Sequence, residues 1–239
     1  MAKIISRAGR FRSPAVLSVA LALWATACAG PEPAPTAVVP TPVATASPAA
    51  VRIVVLGDSL AAGLGLPAVE AFPAVVESLL RERGHAVEVV NAGVSGDTTA
   101  GGLARLDWVL QQPADILVVE LGGNDALRGQ DLEATESNLR AIVRRGRAAG
   151  ARVLLLGMDV PSNYGPDYGS RFAALYERLA EEEKVQLVPG FVREVGSDPT
   201  LLQPDGLHPT AEGQQRLAET LLPHLEALLP EAPSIAGPP

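Results

Sequence analysis

VRIVVLGDSLAAGLG (51–65) opens with a short, largely β-branched run and stops at Gly57, where an acid and a serine follow. A run this short and continuously apolar, closed by glycine, reads as a strand covered on both faces. Four more runs share its character: AVEVV (86–90), DILVVEL (115–121), ARVLLLG (151–157) and VQLVP (185–189). Helical patterns lie between them. Phe72, Val75, Val76, Leu79 and Leu80 recur at helical spacing, as do Phe172, Leu175, Tyr176, Leu179 and Ala180. Leu217, Leu221, Leu225 and Leu228 mark a last helix, which Pro223 is expected to kink or split. Five strands alternating with helices predict an α/β fold, a five-stranded parallel sheet with helices on both faces. In such a fold the ligand sits beyond the carboxyl ends of the strands.

Upstream of this domain the character changes. Residues 1–14 are basic, with Lys3, Arg7, Arg10 and Arg12, and AVLSVALALWATA (15–27) is apolar or small. Spanning a bilayer takes about 20 apolar residues, so this pattern reads as a secretory signal rather than a transmembrane helix. The chain's single cysteine, Cys28, follows directly in ATACAG, which resembles a bacterial lipobox with Ala25 in place of the usual Leu. Residues 1–27 are therefore read as a lipoprotein-type signal, with Cys28 lipidated as the mature N-terminus. The alternative is ordinary cleavage near Ala27 or Ala29. Residues 29–50 are mostly Pro, Ala and Thr, a linker that at ~3.1 Å per residue reaches roughly 70 Å and suits a domain held off a membrane. The domain spans 51–229, and 230–239 reads as a disordered tail. The expected location is the outer side of a membrane, periplasmic or cell-surface, or secreted if Cys28 is not lipidated.

Composition excludes several classes. The 239-residue chain carries 19 Lys plus Arg against 27 Asp plus Glu, a net charge of −8, which disfavours nucleic acid as a partner. Hydrophobic residues make up 47%, enough for a core, and one cysteine rules out an intrachain disulfide framework. There is no GxxxxGK[ST], no third glycine after Gly63 and Gly65 to complete a dinucleotide fingerprint, no HExxH and no G-x-S-x-G elbow around Ser59.

Each strand-to-helix loop instead carries small and polar groups: GDSL with Ser59, NAGVSGDTT with Gly96, GGND with Asn124, and DGLHP with Asp205 and His208. A serine hydroxyl needs a base to become a nucleophile. His85 lies in a helix-to-strand turn at the opposite end of the sheet and His224 in the last helix, so both read as surface or packing residues. His208 is on the ligand side, three residues after Asp205. That turn lets the carboxylate reach one ring nitrogen and leaves the other for Ser59, which is triad logic. Taken alone, DGLHP reads equally as a turn with a helix cap. Acyl transfer also needs donors for the developing oxyanion, and the N–H groups of Ser59 and Gly96 with the Asn124 amide can supply them. Gly93 reads as structural. Asp58, Asp97, Asp125 and Asp159 near strand ends raise the possibility of Mg²⁺. Asp58 and Asp125 adjoin Ser59 and Asn124, so loop-fixing hydrogen bonds are the simpler reading and no metal is expected.

These four blocks, in this order and spacing across 51–229, resemble the SGNH, or GDSL, hydrolase superfamily. ILVVELGGNDALRG, SGDTTAGGLARL and VPSNYGPDYGSRFAALYERLA look like its thioesterase I/lysophospholipase L1 branch. The resemblance implies a flavodoxin-like three-layer α/β/α sandwich and no cofactor. It makes Ser59 the nucleophile, with Asp205 and His208 completing the triad and Ser59, Gly96 and Asn124 forming the oxyanion hole. It also implies hydrolysis of carboxylic esters and thioesters through an acyl-enzyme: acyl-CoA, lysophospholipid, aryl or short-to-medium-chain acyl esters. An exported enzyme would not meet cytoplasmic acyl-CoA, so lipid or other small ester substrates are expected, with a monomer as the working unit. The departure is at the front, since familiar members of this branch are soluble periplasmic proteins. GNDALRG (123–129) is a candidate for movement over the acyl pocket. Two alternatives stay open: a carbohydrate O-acetylesterase on the same scaffold, and a non-catalytic surface lipoprotein.

Overall fold

The five apolar runs become five strands: β1 Val51–Gly57, β2 Val87–Gly93, β3 Ile116–Glu120, β4 Arg152–Leu156 and β5 Gln186–Val188. The computed structural model describes residues 50–160 and 166–230. The signal segment, Cys28, the linker up to residue 49, residues 161–165 and the tail from 231 lie outside the described residues. All strand pairs are parallel, in the order β2-β1-β3-β4-β5.

Side chains alternate across a strand, so a continuous apolar run supplies both faces. In β1, Ile53 and Val55 join one buried layer and Val54 and Leu56 the other. Ile116 and Val118 against Leu117 and Val119 repeat the division in β3. Helices α2 (Phe72–Glu82), α7 (Arg193–Ser197) and α8 (Ala211–Glu226) cover the first face. Helices α3 (Thr99–Val109), α5 (Leu132–Ala148) and α6 (Pro166–Glu183) cover the second. Two short helices, α1 (Ser59–Ala62) and α4 (Gly123–Leu127), begin just beyond the carboxyl ends of β1 and β3. The result is the three-layer α/β/α arrangement in flavodoxin-like strand order, and its topological switch point lies between β1 and β3.

Two local expectations change. Of the two outcomes expected at Pro223, a split does not occur: α8 runs unbroken from Ala211 through Pro223 to Glu226. Pro223 stands in the final turn, where its missing N–H deprives only the carbonyl one turn back. An interior proline costs about 3 kcal/mol. The buried Leu217, Leu221 and Leu225 each contribute about 1.5–3 kcal/mol by leaving water, which outweighs it. Strand β2 also extends beyond Val90, because Asn91, Ala92 and Gly93 pair with Val55, Leu56 and Gly57. The sequence of the second loop therefore starts inside the sheet.

Candidate active site

The site is built on the switch point. Asp58 leaves β1 and caps α1, its Oδ1 accepting the Leu60 N–H at 3.0 Å. Ser59 is thereby the first residue of α1, 9% exposed at the edge of a cleft. Across the cleft the chain returns toward α8 and is held by bonds within its own loop and by one to Leu64. The Gln203 N–H donates to the His208 carbonyl at 2.7 Å, and the Gln203 amide donates to the carbonyls of Leu64 and Pro209, both at 2.8 Å. The Asp205 Oδ1 accepts the backbone N–H groups of Leu207 and His208 at 2.9 and 3.0 Å.

This places His208 Nδ1 2.6 Å from Asp205 Oδ2 and His208 Nε2 2.9 Å from Ser59 Oγ. With its proton on Nδ1, facing the carboxylate, the imidazole presents a free Nε2 that accepts the Ser59 hydroxyl. The N–H groups of His208 and Leu207 and the imidazole hold the Asp205 carboxyl well below the usual carboxylate range. The other two histidines stand apart: His85 is 3.8 Å from Glu226, and His224 Nδ1 is 3.2 Å from Gln186 Nε2.

Three loops bring further N–H donors to the cleft. Gly96 occupies the third position of a turn closed by the Asp97 N–H on the Val94 carbonyl at 3.0 Å. Its φ of +81° is the value such a turn asks of glycine. Arg128 donates to the Gly96 carbonyl at 2.7 Å and so fixes the peptide that follows Gly96. Asn124 lies in the first turn of α4 and gives one amide hydrogen to Asp58 Oδ2 at 3.0 Å. Among the described residues, neither the Ser59 N–H nor the Gly96 N–H meets a protein acceptor. Those two donors and the second Asn124 hydrogen are unspent.

The four aspartates that raised the question of Mg²⁺ are engaged elsewhere. Asp58 holds Leu60 and Asn124, and Asp97 pairs with Arg105 at 2.7 Å. Asp125 accepts the Thr99 N–H at 2.9 Å and the Thr99 hydroxyl at 2.5 Å, and Asp159 forms a two-point pair with Arg193. Among the described residues no cluster of three or more His, Cys, Asp or Glu could hold a metal ion.

Ser59, Gly96, Asn124 and His208 all line one cleft of about 730 Å³. Leu60, Leu64, Leu127, Val160, Val195 and Leu202 give it a largely apolar wall. A hydroxyl hydrogen-bonded to a carboxylate-oriented imidazole, with unspent N–H donors beside an apolar cleft, is equipped for acyl transfer.

Residues 55–216 match the GDSL-like Lipase/Acylhydrolase family. The chain belongs to that family. It is 44% identical to Esterase TesA of Pseudomonas aeruginosa over 187 residues, covering 77% of this chain and 92% of that protein. It is 42% identical to Thioesterase 1/protease 1/lysophospholipase L1 of Escherichia coli over 183 residues, covering 76% of this chain and 86% of that protein. The crystal structure of TesA matches with a TM-score of 0.73 at 44% identity, over 74% of this chain and 99% of that one.

In this GDSL-like hydrolase, three residues not among the candidate site residues read from the sequence shape the site from behind. Thr99 ties α3 to Asp125, so the Gly96 and Asn124 loops share a buried bond. Arg105 reaches the carbonyls of Gly57 and Ala92 at 2.9 and 2.7 Å as well as Asp97. Glu120, fully buried at the end of β3, accepts the N–H groups of Asp58 and Ala61. An acid inside an otherwise apolar strand run was a visible signal for Glu120. Nothing in the local pattern marks Arg105.

Proposed function

We propose that this GDSL-like hydrolase cleaves acyl esters and thioesters in two steps through an acyl-enzyme on Ser59. The observation that carries the reading is the 2.9 Å contact from Ser59 Oγ to His208 Nε2, with Asp205 at 2.6 Å behind the ring. Ser59 Oγ attacks the carbonyl carbon as His208 takes its proton. The tetrahedral oxyanion is held by the N–H groups of Ser59 and Gly96 and by the Asn124 amide. His208 then protonates the departing alcohol or thiol. A water activated by the same imidazole releases the acid and restores the serine.

The substrates proposed are lysophospholipid, aryl and short-to-medium-chain acyl esters, with thioesters of the same acyl groups. The apolar wall of the cleft supports this class over a carbohydrate O-acetylesterase, because an acetyl group fills little of about 730 Å³. The test is kcat/KM for p-nitrophenyl acyl esters of increasing chain length, beside lysophospholipid and acetylated xylan. Efficiency confined to acetylated xylan would transfer the reading to the O-acetylesterase. Failure of a fluorophosphonate to label Ser59 would leave a binding protein.

We further propose that Cys28 is lipidated and anchors a monomeric enzyme on the outer side of a membrane, with 29–50 as the spacer. The basic and apolar segments before Cys28 and the Pro-rich composition after it support this. Two acyl chains give stable anchoring where a single chain is marginal. Intact-mass measurement of the mature N-terminus checks it, and an unmodified chain starting near Cys28 would make the protein a plain secreted or periplasmic esterase.

A further inference from the structure

Four backbone N–H groups surround the nucleophile at the start of α1, and three are spent. The Asp58 N–H donates to Glu120 Oε2 at 3.0 Å, the Leu60 N–H to Asp58 Oδ1 at 3.0 Å, and the Ala61 N–H to Glu120 Oε2 at 3.3 Å. Among the described residues, only the Ser59 N–H is left without an acceptor. One oxygen of Glu120 thus holds the residues before and after the nucleophile, from the neighbouring strand. The approach is close: a Cβ on Gly57 would lie 2.5 Å from Glu120 Oε2 and 2.5 Å from the Ala61 Cβ. Glycine at the end of β1 is what lets the carboxyl lie under the turn.

The other oxygen, Oε1, is buried with no hydrogen-bond partner among the described residues. An ionised carboxylate with one oxygen undonated in an apolar setting is costly, whereas a proton there removes the charge. Burial first, and then the negative charge of Asp58, push the Glu120 pKa well above its ordinary value. The ionisable groups that act on it or feel it are Asp58, from the β1–α1 turn, and the Tyr176 hydroxyl, from α6. The Arg105 guanidinium packs on the same turn through the Gly57 carbonyl.

We propose that Glu120 is a positioning residue for the nucleophile, acting as a neutral acid. By collecting the Asp58 and Ala61 N–H groups on one oxygen it sets the turn that aims Ser59 and reserves the Ser59 N–H for the oxyanion. Its neutrality avoids a second buried negative charge beside Asp58 in the turn that carries Ser59. The inference rests on Ser59 being the nucleophile, so wild-type turnover and fluorophosphonate labelling are measured first. If either is absent, the esterase reading fails before Glu120 is tested.

The experiment compares Glu120→Gln with Glu120→Asp. Gln keeps an acceptor oxygen at the same reach without charge, and is expected to retain the wild-type kcat and pH–rate profile. Asp keeps the acid but is one methylene short. It is expected to lose kcat on the order of 100-fold, the scale of a misplacement of about 1 Å, with KM unchanged and near-UV circular dichroism intact. Wild-type kcat in both variants would make Glu120 a fold residue only and overturn the proposal. A Gln variant that loses kcat, whatever Asp does, would show that the ionised carboxylate is required and also overturn it. One measurement needs no variant: the ¹³C shift of the Glu120 carboxyl in the wild-type protein at neutral pH. A protonated shift is expected, and an ionised one overturns the proposal even if Glu120→Asp does not fold.

Discussion

The Asp205 carboxylate grips His208 at two points, the ring through Oδ2 at 2.6 Å and the backbone N–H through Oδ1 at 3.0 Å. Ring orientation and loop conformation therefore depend on one side chain. In Asp205→Asn, Oδ1 can still accept both backbone N–H groups, which turns the amide nitrogen toward His208 Nδ1. Two donors then face each other, and the imidazole must move its proton to Nε2, where it can no longer accept from Ser59. The expected loss in kcat is about 10⁴-fold in a folded protein. A loss of kcat equal in Asp205→Asn and in a globally loosened variant would assign Asp205 to the loop alone. The depressed Asp205 pKa also has a sign. Its contribution to stability is present above the unfolded-state carboxyl pKa and is lost only as pH falls through the lower folded value. Asp205 therefore keeps its charge, and its grip on the ring, to pH values below the ordinary carboxylate range.

Ser59→Ala removes one oxygen at the cleft edge and no core contact. Ester hydrolysis and fluorophosphonate labelling should disappear while the thermal midpoint stays near wild type. In the proposed triad Ser59 and His208 act as a unit, so Ser59→Ala/His208→Ala should be no slower than the worse single variant. A much slower double variant would mean that the two residues act in separate steps.

Asn124→Ala takes away a proposed oxyanion donor and should lower kcat by about 10²–10³, roughly 2.7–4 kcal/mol. KM should barely move, since the donor acts on charge that develops only in the transition state. The same amide also bonds Asp58 Oδ2, a contact that lowers the Asp58 pKa against the opposing effect of burial. Its loss should raise that pKa further. A variant whose KM rises while kcat holds would recast Asn124 as a substrate-binding residue.

Much of this was legible in the sequence, and what escaped did so for physical reasons. The strands could be read because both of their faces are buried, so Ile53 to Leu56 and Ile116 to Val119 are apolar without interruption. The partnership of Asp205 with His208 could be read because it is local, closed within a four-residue turn. Helix α5 could not be read with the same ease, since its buried stripe of Leu139, Ile142 and Val143 is set among arginines and glutamates. Those charged residues pair instead: Arg140 and Arg144 meet Glu183 of α6. The acceptors of Arg105 are two strand-end carbonyls and one aspartate, and carbonyls carry no sequence signature. The extension of β2 to Gly93 is set by register with β1, a pairing that no local pattern announces.

The raised Glu120 pKa predicts a pH-dependent stability difference. A carboxyl whose folded-state pKa lies above its unfolded value contributes stability that is full below the unfolded pKa and is lost as pH rises through the folded one. Glu120→Gln abolishes that loss. The thermal midpoint of the variant, relative to wild type, should therefore climb steadily from mildly acidic to mildly alkaline buffer. A difference that is constant or shrinks with pH would contradict the raised pKa.

Arg105 joins the two loops that carry the proposed nucleophile and the Gly96 donor. Its guanidinium donates to the Gly57 carbonyl at the end of β1, to the Ala92 carbonyl in β2 and to Asp97, the residue after Gly96. Three acceptors in different directions suit a planar fork and not a single ammonium, so Arg105→Lys is not conservative here. Lysine can satisfy one or two of them and leaves at least one partly buried carbonyl or carboxylate short of a donor. The expected stability cost is about 1–3 kcal/mol, visible in urea unfolding. Freed from the clamp, the Gly96 N–H can drift relative to Ser59. kcat should then fall, by less than the roughly 100-fold that accompanies a full 1 Å displacement. KM should change little, because none of the three acceptors lines the apolar wall. Turnover per folded molecule, taken well below the unfolding transition, separates the two effects. A destabilised Arg105→Lys with unchanged kcat would show that the clamp serves the fold and that the spacing of Ser59 and Gly96 is fixed without it.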